Sequence, residues 1–134
     1  SRGLGDVYKR QNHTHVTVEP DEEKMKRAAQ YIVGEHDFKC FEASGSKVKS
    51  TVRTVYALDI KTSLNNGSKI YEIYVTGNGF LYNMVRIIAG TLYYVGIGKL
   101  LPEDVLEIIK KKKRVGAGKT MPPKGLTLEE VFYE

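Results

Sequence analysis

The segment Gly77–Lys99, GNGFLYNMVRIIAGTLYYVGIGK, constrains the fold more than any other part of the chain. At about 100° per residue, Leu81, Val85, Ile88, Leu92 and Val95 fall on one stripe of a helix, and Met84 and Ile87 extend the apolar surface around the cylinder. The spacing predicts a helix over about Phe80–Val95. Apolar almost all round, such a helix belongs in the interior or at an interface. Its one charged residue, Arg86, shares a second face with Tyr82, Ala89, Gly90 and Tyr93. A guanidinium there is tolerable only where a carboxylate, a phosphate or several carbonyls replace its water. No acid lies between Phe80 and Lys99, so the partner comes from elsewhere in the fold, from another chain or from a ligand. A structural ion pair, or a side chain snorkelling at a rim, is the plainer alternative.

The rest of the chain supplies what such a helix packs against. His13–Glu19 alternates with β-branched residues and predicts a short strand ended by Pro20. Asp21-Glu22-Glu23 then opens a helix through about Val33, with Met25, Ala28, Ala29 and Ile32 as its apolar face and Gly34 as its stop. Gly34–Ser50, rich in Gly, Ser and Lys around two Phe, reads as an ordered connection with an exposed basic end. Thr51–Thr62 and Lys69–Thr76 read as two strands of a hairpin around Asn65-Asn66-Gly67. Pro102-Glu103-Asp104 starts a second helix that runs into Lys110–Arg114, and Leu126–Tyr133 offers a terminal strand after Pro122-Pro123. The order β-α-ββ-α-α-β predicts an α+β domain with a mostly antiparallel sheet packed with helices. Residues 1–11 show no period and are expected to be an unstructured or foreign leader, which leaves 12–134 as the domain.

Composition narrows the function classes. A chain of 134 residues, 41% hydrophobic, holds one domain with a real core. Lys and Arg outnumber Asp and Glu by 21 to 16, a net charge of +5 that suits a polyanionic partner. The single Cys40 excludes an intramolecular disulfide and a multi-thiolate metal site, which fits a reducing, cytoplasmic address. Arg86 interrupts the longest apolar run, so no stretch reaches the roughly 18 residues of a membrane span. Val115–Thr120, VGAGKT, fails as a phosphate loop because Lys113 stands where the motif needs Gly, so no nucleotide cofactor is expected. Gly77 and Gly79 begin a G-x-G-x-x-G that Tyr82 breaks, and the pair more simply serves a strand-to-helix turn. His13 and His15 could share a strand face but have no further ligands nearby, and Cys40 reads as a packing residue.

Phe80, Met84, Val85, Arg86, Ile88 and Gly90 spell F-x-x-x-M-V-R-x-I-x-G. Gly34, His36-Asp37-Phe38, Phe41, Gly45-Ser46 and Arg53-Thr54 precede it, and Ala117-Gly118, Pro122, Gly125-Leu126 and Leu128 follow it. Over roughly His13–Glu134 these segments together resemble the C-terminal half of the tRNA pseudouridine synthase A family. That resemblance implies a pseudouridine-synthase-like C-terminal domain. It also implies an isomerase that turns uridine into pseudouridine in the tRNA anticodon stem-loop, as a homodimer and without metal or cofactor.

In that family an aspartate from an R-T-D-A-G-V-H segment attacks the target nucleotide, and the glycosidic bond moves from N1 to C5 of uracil. The resemblance makes Arg86 the ion-pair partner of that aspartate and Leu126 an apolar residue lining the uracil pocket. No R-T-D-A-G-V-H run exists here, and Arg53-Thr54 is followed by Val55. The chain is therefore expected to be an inactive piece of an enzyme, holding the part of the site that supports the nucleophile. Taking a uridine out of an RNA stack draws affinity largely from phosphate neutralisation. Arg53, Lys47, Lys49 and the run from Lys110 to Arg114 are the candidates for that work, although a lysine-rich helix end is more often just a solvated, dipole-matched terminus. The competing reading is a non-catalytic RNA-binding or dimerisation module; exposed Phe38 and Phe41 would serve either reading, unless they simply fill the core.

Overall fold

The computed structural model describes residues 6–9, 19–42, 48–112 and 130–132. In chain order the elements are strand β1 (Asp6–Lys9), helix α1 (Glu22–Ile32), strand β2 (Gly34–Asp37), a 3₁₀ turn (Lys39–Phe41), strands β3 (Val52–Asn65) and β4 (Ser68–Gly77), helices α2 (Met84–Gly96) and α3 (Asp104–Lys111), and strand β5 (Glu130–Phe132). The long β3–β4 hairpin organises them. Its turn residues Asn66 and Gly67 have φ of 51° and 79°, the positive values a tight two-residue hairpin requires and that Asn and Gly tolerate. β2 pairs with the free side of β3, and every pairing among β1, β4, β3 and β2 is antiparallel. The second edge of β4 is shared: β1 pairs with Ile70–Ile73, and β5 runs parallel beside Val75–Gly77.

One face of the hairpin is apolar. Val55, Leu58 and Ile60 of β3 alternate inward with Tyr71, Ile73 and Val75 of β4, and all are buried in one core with the helices. α1 contributes Met25, Ala28, Ala29 and Ile32, the face read from its spacing. α2 is buried at all its residues except Arg86, Tyr93 and Tyr94, which is what an almost wholly apolar helix requires. Thr91, its buried hydroxyl residue, donates to the Ile87 carbonyl at 2.8 Å. α3 closes the core with Val105, Ile108 and Ile109. The arrangement is an α+β fold with a mostly antiparallel sheet, as the element order predicts.

Several local expectations differ from the structure. The connection expected over Gly34–Ser50 contains β2 and the 3₁₀ turn, and of the two alternatives for Phe38 and Phe41 the core-filling one holds, both being fully buried. A four-residue strand is too short to declare a period, and the turn is held by a side chain: the Lys39 amide donates to Asp37 Oδ1 at 3.1 Å. Within residues 1–11, expected as an unstructured or foreign leader, Asp6–Lys9 form β1 on the edge of β4. β3 runs to Asn65 rather than to Thr62. α2 starts at Met84, not at Phe80, because Asn83 sits in the left-handed region at φ 59° and breaks the helical path there. α3 ends at Lys111, with Lys112 left-handed at φ 58°; Lys113 and Arg114 lie outside the described residues. Also outside them are 13–18 of the strand expected at His13–Glu19, and all of Leu126–Tyr133 except Glu130–Phe132. Cys40 is buried in the core, as a packing residue should be. Among the described residues, no helix is long and apolar enough to cross a membrane.

Candidate functional site

The site grows from the connection between β4 and α2. A Cβ on Gly77 would stand 2.7 Å from the Thr54 carbonyl oxygen, so only glycine lets the strands approach this closely. Asn78 then adds a rung to the ladder. Its amide donates to the Thr54 carbonyl at 3.0 Å, and its side-chain Oδ1 accepts from the Thr54 amide at 2.9 Å. Phe80 packs against the core and Leu81 enters it, and the Met84 amide donates to the Leu81 carbonyl at 2.9 Å to close the turn into α2. The connection is thereby fixed at both ends and by apolar side chains between.

Two arginines border it. Arg53, half-buried on β3, donates through Nη1 to the Ser50 and Val52 carbonyls, both at 2.8 Å. Its stem lies along the connection, since a Cβ on Gly79 would stand 3.5 Å from Arg53 Nε. Arg86, half-buried in the first turn of α2, donates through Nη1 to Asn83 Oδ1 at 3.1 Å. The neighbouring Val85 and Ile87 are buried, so burial of the helix fixes the rotation that brings Arg86 outward. Asn83 thus serves twice: its left-handed backbone starts the helix late, and its side chain steadies the guanidinium. The sequence offered a signal for this in an asparagine directly before an apolar helical run, but such a residue is ordinarily read as a cap, and Asn83 makes no capping bond.

A second cluster ties the basic candidates to the same end of the sheet. Asp37 accepts from the Thr51 hydroxyl at 2.5 Å and from the Lys39 amide, and its Oδ2 stands 3.7 Å from Lys112 Nζ. The Thr51 hydrogen bond above all, with help from Lys39 and Lys112, holds its carboxyl below the usual range against the opposing effect of burial. Asp37 therefore joins β2, the start of β3 and the end of α3. Lys49 is exposed just before Thr51, and Lys110 is exposed in the last turn of α3, which reaches Asp37 through Lys112. Lys47 and Leu126 lie outside the described residues. Among the described residues no group of three or more His, Cys, Asp or Glu is placed to hold a metal ion.

The comparisons with known proteins converge on one class. A family profile described as tRNA pseudouridine synthase matches residues 28–134. The chain is 49% identical over 119 residues to a tRNA pseudouridine synthase A of Thermoanaerobacter sp. (strain X514), an alignment covering 89% of this chain and 47% of that protein. A protein of the same description from Acetivibrio thermocellus gives the same identity and the same coverage. One from Bacillus pumilus is 46% identical over 129 residues, 96% of this chain and 51% of the relative. The chain belongs to the tRNA pseudouridine synthase family. It spans about half the length of the curated relatives it matches.

Proposed function

We propose that this chain is the supporting half of a tRNA pseudouridine synthase that isomerises uridine in the anticodon stem-loop. In that enzyme Arg86 pairs with a nucleophilic aspartate supplied from outside these 134 residues. The observation that carries the reading is Arg86 itself: a cation at the F-x-x-x-M-V-R position, half-buried on a buried helix and steadied by Asn83, in a sequence with no R-T-D-A-G-V-H segment. A guanidinium beside a carboxylate lowers its pKa, keeps it ionised and aims it, which is what a carboxylate nucleophile needs. Charge-assisted bonds to a planar fork also fix direction.

On this reading residues 12–134 are the C-terminal domain, and Leu126 lines the uracil pocket. Arg53, Lys47, Lys49 and Lys110 neutralise phosphates around it. The full enzyme works as a cytoplasmic homodimer, with neither metal nor cofactor in the reaction. The test is conversion of uridine in an anticodon-arm RNA. This chain alone should yield no pseudouridine, and the same chain fused behind a segment carrying R-T-D-A-G-V-H should. Arg86→Ala in the fusion should cost at least about 100-fold, the usual scale for losing one charge-stabilising donor. Turnover by the chain alone sinks the missing nucleophile, and RNA binding indifferent to salt sinks the phosphate contacts.

A further inference from the structure

We propose that Tyr82 is a stacking platform for an unpaired nucleobase of the bound RNA next to the target uridine; the proposal rests on the tRNA reading above. Among the described residues Tyr82 is the most exposed aromatic among the large hydrophobic side chains, at 61%, ahead of Tyr56 at 49%. Single exposed hydrophobic residues are common and by themselves mean nothing. Tyr82 differs in how it is held. Phe80 and Leu81 already anchor the connection to the core, so Tyr82 adds nothing to its packing. Asn78 pins one side of it to Thr54, and the Leu81–Met84 turn and the Arg86–Asn83 bond pin the other. A tyrosine on a backbone fixed at both ends has little freedom left to lose on contact, which is the condition for a useful binding aromatic.

Its electrostatic setting selects the ligand. Along the chain Tyr82 falls between Gly79, against which Arg53 lies, and Asn83, which accepts from Arg86, and the sequence from Gly77 to Lys99 contains no acid. An exposed aromatic on a segment bordered by two arginines suits a base of a phosphate-bearing chain. Every base presents a π-face, so the contact requires an unstacked base rather than a particular one. Extracting a uridine for chemistry leaves its neighbours unstacked, and a surface that receives one of them lowers the cost of extraction.

The experiment titrates the full chain into a fluorescein-labelled anticodon-arm hairpin by anisotropy, with 2-aminopurine at successive loop positions in parallel samples. Tyr82→Ala should weaken binding roughly ten-fold, Tyr82→Leu about as much, and Tyr82→Phe less than about two-fold, because the ring and not the hydroxyl carries the contact. At one loop position, 2-aminopurine emission should fall on binding to the wild type and to Tyr82→Phe, but not to the Ala or Leu variants. The slope of log affinity against log salt should be unchanged by Tyr82→Ala, since no phosphate contact is lost. Equal affinity of wild type, Ala and Leu variants overturns the proposal, as does a Phe variant as weak as Ala, or a shallower salt slope. If the wild type itself fails to bind the hairpin, the tRNA reading falls and takes this inference with it. The exposed position gives these variants little packing to lose, and equal chemical-denaturation midpoints of the wild type and the three variants exclude misfolding as the cause of weaker binding.

Discussion

Helices α1 and α2 are helical for different reasons, although each lends a face to the same core. α1 is marked by local chemistry. Asp21 caps it through a bond from the Lys24 amide, Glu22 and Glu23 sit where the dipole favours acids, and Lys26 pairs with Glu22 one turn on at 3.0 Å. α2 has none of this: no capping side chain, no acid in its first turn and no base in its last. Burial on nearly every side holds it, so its ends are set by the groups around it rather than by its own sequence. A locally specified helix can be moved between proteins; one specified by burial is only as good as its surroundings, and that suits the role proposed for α2, which is to hold Arg86 at a fixed angle.

The comparison can be broken at its strongest point first. Leu92, fully buried in α2, should cost about 2–5 kcal/mol on truncation to Ala, read from chemical denaturation. A loss under 1 kcal/mol would mean that α2 is not held by burial. Next comes Gly77→Ala, where the new methyl meets a backbone oxygen that cannot turn aside; roughly 1–3 kcal/mol is expected, on the scale of overpacking. Asp21→Ala should take about 1 kcal/mol from stability through α1 alone, with the chemistry proposed to depend on Arg86 in the fused enzyme left intact.

The smallest effect concerns acid. Asp37 titrates in the fold below its ordinary value of 3.8, so its contribution is fully present above that pH and drains away as pH falls through the lowered value. Asp37→Asn should flatten the stability–pH curve only below that point. An unchanged acid limb would show that the bonds from Thr51 and Lys39 matter as hydrogen bonds and not through charge.

The same contrast explains what could be read in advance. α1 was legible down to its apolar face, and the hairpin down to its turn, because capping acids, alternation and Asn-Gly are written locally. That α2 must be interior was equally plain, yet its first residue was misplaced because the deciding fact, the left-handed Asn83, is a property of the turn before it. β2 and the 3₁₀ turn were missed for want of length, and the burial of Phe38 and Phe41 follows from tertiary packing that no short pattern encodes. β1 and the parallel pairing of β5 depend on which segments find the open edge of β4, a choice made between distant parts of the chain. Arg86 stood out from the sequence by its isolation among apolar neighbours. The residue that steadies it did not, because an Asn three positions earlier has many ordinary uses.

One rung of the sheet is made by a side chain. Where β4 has run out, Asn78 completes the pair with Thr54 by offering its own amide oxygen as a strand would offer a carbonyl. Backbone rungs cannot be edited one at a time, but this one can. Asn78→Ala would remove the side-chain half of this rung and keep the backbone half, the Asn78 amide on the Thr54 carbonyl, so position 78 sets how firmly the segment that leads to Arg86 is geared to the sheet without either strand being recut.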